Sequence, residues 1–218
     1  MRILVSTFGG RDPDRVLQAM KRLPYQKVIL VGDMEAEDSE GFRLIRRIEE
    51  MAGNDLGFEP VAIDDFMQAV DEISDAISKN MRDPRTGGRN QVVLNIGGGA
   101  KLLGDAALFA AFRLGIEAFI CEDRFVRLPV LKGVTVANRF TAQQANFINA
   151  LGESWTEFGS LVSALSPSGR QSVERTLRQM RSEGIVETEV RSGKIHVALT
   201  PSGKEVARVL ALVQIGNE

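Results

Sequence analysis

Residues 91–115 read QVVLNIGGGAKLLGDAALFAAFRLG. Val92 to Ile96 is an apolar-leaning run of strand length, and a long apolar helical pattern follows from Leu102. Between them stand Gly97, Gly98, Gly99, Ala100 and Lys101. Glycine at the carboxyl end of a strand lets a ligand come close to the backbone. The first turn of the following helix offers unpaired N–H groups and the positive end of its dipole, which favour an anion. Lys101 adds a point charge. The stretch is neither a G-x-x-x-x-G-K-[ST] loop nor a G-x-G-x-x-G turn, because Leu102 holds the place of the third glycine. A tight strand–helix turn that needs small residues for packing is the alternative reading.

The chain upstream alternates strand and helix. Strands are expected at 2–7, 27–32, 58–63, 116–121 and 125–131, the last two as a hairpin through 122–124. Helices are expected at 12–23, with Asp12 as N-cap and Pro13 in the first turn, at 40–52, and at 64–81. Residues 82–90, RDPRTGGRN, read as a loop in which Arg85 and Arg89 reach a phosphate or stay in solvent. This alternation predicts an α/β fold with a Rossmann-like, mainly parallel sheet covered by helices on both faces. In the doubly wound order, strands one and four are neighbours and their ends form a crevice. Strand one ends in STFGG, so Ser6, Thr7, Phe8, Gly9 and Gly10 face Asn95, Ile96, Gly97, Gly98, Gly99, Ala100 and Lys101. Ser6 and Thr7 can donate to a phosphate or a base edge, and Asn95 can offer its amide. Local capping of the turn is the plainer role for the two hydroxyls.

Composition narrows the chemistry. The 218 residues are 44% hydrophobic, with a net charge of -2, one cysteine (Cys121) and one histidine (His196). A sizeable core is therefore expected, and a globally basic nucleic-acid binder is not. An internal disulfide is excluded, and a reducing cytoplasm fits. Histidine- or cysteine-based metal sites and triads are poorly supplied, so no metal, no cofactor and no catalytic residue is assigned. The acidic run EAEDSE (35–40) reads as a solvated loop. Residues 1–7 are too short an apolar run for a signal peptide, and no segment has the length to span a membrane.

The periodicity changes near residue 138, which divides the chain into 1–138 and 139–218. Helices are expected at 141–151, 156–165 and 168–183, two strands around RSGK within 184–200, and a last helix at 201–213 capped by Thr200. Helix, helix, helix, wing, helix is the order of a winged helix-turn-helix. With Ser168 as N-cap and Val173, Leu177 and Met180 turned inward, Arg170, Gln171, Ser172, Arg175, Thr176 and Arg178 are left to the other faces. Long polar donors near the start of such a helix reach base edges and arginines grip phosphates. Together with Ser168, and with Arg191 and Lys194 at the wing tip, these residues are the candidate contacts to double-stranded DNA. Residues 141–218 carry eight basic and eight acidic side chains, and a protein-interaction module is the competing reading. Trp155 is expected in the core of this half, and buried Cys121 is expected to be inert.

STFGG, NIGGGAK and the C-terminal winged helix together resemble the CARF-domain (CRISPR-associated Rossmann fold) transcription regulators of CRISPR-Cas systems. The second motif of that family reads Asp or Asn, any residue, Thr or Ser, Gly, Gly, any residue, Lys or Arg. Asn95, Gly98, Gly99 and Lys101 match it, and Gly97 stands in place of the hydroxyl residue. The resemblance implies a homodimer that binds a cyclic oligoadenylate, often the tetraadenylate, where two crevices meet. It implies that the glycine backbone and Lys101 meet phosphates, and that Ser6, Thr7, Phe8 and Asn95 meet ribose, base or phosphate. Some family members cleave their ring, with Lys101 and Ser6 as the candidates here. The missing hydroxyl at Gly97 argues against fast turnover. An α/β domain that binds an ordinary mononucleotide, with a DNA-binding tail, is the remaining reading.

Overall fold

The structure is a computed structural model. It describes the chain except residues 84–85, 132–133, 153, 166–168 and 216–218. It divides into two units, Met1–Thr135 and Val136–Glu218. Among the described residues no helix is long and apolar enough to cross a membrane.

The first unit is α/β. Its order is β1 (Arg2–Thr7), α1 (Asp14–Arg22), β2 (Lys27–Gly32), a 3-10 turn (Met34–Asp38), α2 (Glu40–Ala52), β3 (Asp55–Pro60), α3 (Phe66–Met81), β4 (Gln91–Asn95), α4 (Lys101–Leu114), β5 (Glu117–Cys121) and β6 (Phe125–Arg127). The sheet runs β3-β2-β1-β4-β5-β6. All neighbours are parallel except β5 and β6, which form the expected antiparallel hairpin. Ile3, Leu4, Val5, Val28, Ile29 and Leu30 are almost wholly buried because helices cover both sheet faces. One face packs Leu4, Leu30, Phe8, Phe42 and Ile45 into a single cluster. The small faces of α3 and α4, with Ala69, Ile73, Ala106 and Ala110 buried, let those helices lie closely side by side.

Three expectations shift here. Pro13, not Asp12, occupies the N-cap of α1, and Asp12 instead pairs with Arg15 at 3.1 Å. β3 begins three residues earlier than expected, because its register with β2 pairs Lys27 with Asp55. β6 stops at Arg127. The loop residue Arg85 lies outside the described residues.

The second unit contains α5 (Ala142–Ala150), β7 (Thr156–Glu157), α6 (Phe158–Ala164), α7 (Arg170–Ser182), β8 (Val186–Arg191), β9 (Lys194–Leu199) and α8 (Pro201–Ile215). Its core joins Phe147, Ile148, Leu161, Val173, Met180, Val197 and Leu199. The strands form an antiparallel sheet in the order β7-β9-β8, and β8 and β9 form the hairpin expected of a wing. Residues 156–157 were expected to be helical. They pair with β9 as a third strand, and the helix starts at Phe158. α7 is preceded at its N-cap by Gly169 with no side-chain cap; Ser168, the expected cap, lies outside the described residues. Thr200 Oγ1 accepts from Gly203 N at 3.1 Å and so caps α8 as expected. Trp155 is half-buried rather than core, and the Arg191 guanidinium lies 4.8 Å above its ring.

Candidate functional site

β1 and β4 are adjacent, with Ser6 opposite Asn95, so both glycine turns leave the sheet at one edge. The two turns press backbone on backbone. A Cβ on Gly98 would stand 2.1 Å from Thr7 O, and one on Gly9 would stand 2.7 Å from Gly99 Cα. Gly99 also adopts φ +78°, which disfavours any side chain. Gly97 is different. A Cβ there would meet only Cys121 and Asn95 atoms at 3.3 to 3.4 Å. The opening glycine run is therefore built first for turn-to-turn packing, and its exposed product is a patch of bare backbone at Gly9, Gly99 and Ala100.

A polar network beneath fixes this patch. Asn95 Nδ2 donates to Ser6 Oγ at 2.9 Å, and Asn95 Oδ1 accepts from Gly97 N at 3.3 Å and Cys121 N at 3.1 Å. Thr7 Oγ1 accepts from Gly98 N at 3.1 Å. Ser6, Thr7, Phe8 and Asn95 are all fully buried. The family resemblance implies that these four meet ribose, base or phosphate. In this structure Ser6, Thr7 and Asn95 hold the turns, because burial obliges their polar atoms to pair within the protein. Ser6 Oγ also donates to Thr7 O at 3.3 Å. Cys121 is buried too, and burial pushes its thiol up to about 11.

A cleft of about 1130 Å³ opens beside the patch. Phe8, Gly9, Gly10, Gly99 and Ala100 line it. Ile96, Gly97, Gly98 and Lys101 do not line it. Lys101 is exposed at the first turn of α4 with no ion pair among the described residues. α4 begins after Ala100 with no side-chain cap, so its first N–H groups stay available. Sequence reasoning missed Arg11, Arg15, Asp33 and Ser39 in the same cleft. Arg15 donates to Gly97 O at 2.8 Å and pairs with Asp12 and Glu122, each at 3.1 Å, so it braces the β4 turn. Arg11 is exposed and makes no such pair among the described residues. Arg11 directly follows STFGG, and that adjacency was the available signal. Asp33 and Ser39 arrive only through strand order.

In the second unit most candidate DNA contacts are already engaged. Arg170 pairs with Glu174 at 3.0 Å, and Arg178 approaches the same carboxylate at 4.0 Å. Arg191 pairs with Glu189 at 2.8 Å and holds its carboxyl below the usual carboxylate range, while Lys194 pairs with Glu157 at 3.0 Å. Thr176 was placed on an outer face but is 7% exposed, with its hydroxyl donating to Ser172 O at 3.1 Å. Ser172 Oγ accepts from Gln143 Nε2 at 2.5 Å. Gln171 and Arg175 remain exposed.

No family model and no curated protein matches the chain. Similar solved structures include protein VC1899 from Vibrio cholerae, at 14% identity and a TM-score of 0.46 over 97% of this chain. Enterococcus italicus Csm6 bound to cyclic hexa-2'-fluoro-hexa-dAMP matches at 11% identity and a TM-score of 0.47 over 85% of this chain. Can2 from Sulfobacillus thermosulfidooxidans in complex with cyclic tetra-adenylate matches at 12% identity and a TM-score of 0.47 over 97%. This chain spans 66%, 56% and 61% of those three chains respectively.

Proposed function

We propose that the chain is a CARF-type, ligand-responsive DNA-binding regulator. The first unit takes a cyclic oligoadenylate at the glycine patch, and the second binds double-stranded DNA as a winged helix. The observation that carries the ligand half is the cleft of about 1130 Å³ at the carboxyl ends of β1 and β4, floored by bare backbone. A phosphate there meets backbone N–H groups at the start of α4, with Lys101 and Arg11 as uncommitted cations nearby in sequence. A ring of identical nucleotides suits a two-fold dimer, because each protomer treats half of it alike. Homodimerisation is supported by Phe109 and Phe112 on α4, which are 57% and 43% exposed.

The DNA half rests on the order of α5, α6, α7, wing and α8, with Gln171 and Arg175 exposed near the start of α7. Ligand binding shifts DNA affinity by a coupling free energy. The test is DNA affinity with and without saturating cyclic oligoadenylate. A changed affinity, lost in Lys101→Ala, supports the switch. Identical affinities sink it.

A further inference from the structure

Arg170, Arg178, Arg191 and Lys194 each face a carboxylate of their own unit. Arg139 and Arg175 do not. Both are exposed, and neither makes an ion pair or a side-chain hydrogen bond among the described residues. Both line one cleft of about 380 Å³, beside the first turn of α5 and the flank of α7. Every residue lining that cleft is polar or charged. Several of its other polar groups are engaged, and Glu183 brings one carboxylate to its rim. Thr141 and Gln144 satisfy each other as a capping box, Gln143 donates to Ser172, and Gln179 Nε2 holds Glu183 Oε1 at 3.0 Å. Arg139 and Arg175 are its two cations without a partner among the described residues, and the guanidinium fork matches the oxygens of a phosphate as it does those of a carboxylate.

We propose that this cleft seats one backbone phosphate of double-stranded DNA, gripped jointly by Arg139 and Arg175. The proposal rests on the DNA-binding reading and adds its anchoring point. Arg175 also lines a second cleft, of about 460 Å³, with Gly169, Arg170 and Gln171 at the start of α7. The phosphate seat is thus continuous with the surface that would enter the major groove. A phosphate contact carries no base information, but it fixes the register from which Gln171 and its neighbours read. Arg139 lies in the connection before α5, where sequence periodicity gives no reason to look.

The test uses the full chain and a labelled duplex of arbitrary sequence, with affinity followed by fluorescence anisotropy from about 50 to about 200 mM salt. Arg139→Gln and Arg175→Gln each lower the slope of log affinity against log salt by about 1, with affinity about tenfold weaker near 0.1 M. The double variant loses about the same single unit, because the two side chains share one phosphate. Arg181→Gln, an exposed arginine of α7 outside the cleft, leaves the slope unchanged. All variants keep the thermal midpoint of the parent. Unchanged slopes in Arg139→Gln and Arg175→Gln, or a double variant that loses two units, overturn the shared seat while leaving DNA binding intact. A parent chain with no salt-dependent duplex binding overturns the DNA reading, and the seat with it.

Discussion

A methyl group on Gly98 would stand 2.1 Å from Thr7 O, well inside any allowed contact, so Gly98→Ala must push the two turns apart. Its expected cost is about 3 kcal/mol, read as a lowered midpoint of thermal unfolding. Gly97→Ser is the opposite case, since its Cβ would meet atoms at 3.3 to 3.4 Å and needs only small adjustment. That variant should melt within roughly 3 °C of the parent. The hydroxyl missing from the family pattern is therefore absent by choice of sequence, not for lack of room. One buried and one half-buried acid bear on alkaline stability. Desolvation pushes the Cys121 thiol from 9.0 to about 11, and desolvation together with the hydrogen bond to Glu49 pushes the Tyr25 hydroxyl above its ordinary range. Below pH 9.0 thiol and thiol match in the folded and unfolded chains; above it the unfolded chain loses its proton first. Stability should fall between pH 9.0 and about 11, and the tyrosine extends that fall upward. Urea midpoints at neutral pH and near the top of this window check the direction.

At the scale of elements, Thr141 and Gln144 cap α5 reciprocally, with Gln144 N donating to Thr141 Oγ1 at 3.3 Å and Thr141 N to Gln144 Oε1 at 2.8 Å. Thr141→Ala should cost about 1 kcal/mol of stability, measured by denaturant unfolding. On α7, Glu174 holds both Arg170 and Arg178. Glu174→Gln should release them to DNA, strengthening duplex binding and steepening its salt dependence; weaker binding would show that Glu174 positions the arginines usefully. Elements with a strong period were legible. α2 spans Glu40–Ala52 as its apolar spacing predicts, because Ser39 caps it and Phe42 and Ile45 turn inward. Elements defined by pairing were not. β3 is a partly exposed edge strand whose start depends on β2, and residues 156–157 become a strand only because β9 lies beside them. Thr176 was misread for a local reason: its hydroxyl bonds back to Ser172 O, so a polar residue fits on the buried stripe.

Over the whole molecule, the adjacency of β1 and β4 was legible from strand–helix alternation and the rule for doubly wound sheets. The glycine patch was legible with it, since glycine runs punctuate strands. The burial of Ser6, Thr7 and Asn95 was not, because sequence cannot say whether a hydroxyl at a strand end faces the ligand or the neighbouring turn. Arg11, Arg15, Asp33 and Ser39 join one cleft through the order of β2, β1 and β4, which spacing along the chain does not reveal. If α4 lies at a two-fold contact, Phe112→Asp should convert the dimer to a monomer in light scattering, and an unchanged mass would place the contact elsewhere. The central claim is that the glycine patch takes a cyclic oligoadenylate. Isothermal titration with the cyclic tri-, tetra- and hexaadenylates, with linear AMP as control, tests it most directly. The account predicts that a ring binds at one per dimer, that Lys101→Ala weakens it, and that AMP binds far less well. No heat from any ring, or AMP binding as well as the best ring, would contradict it.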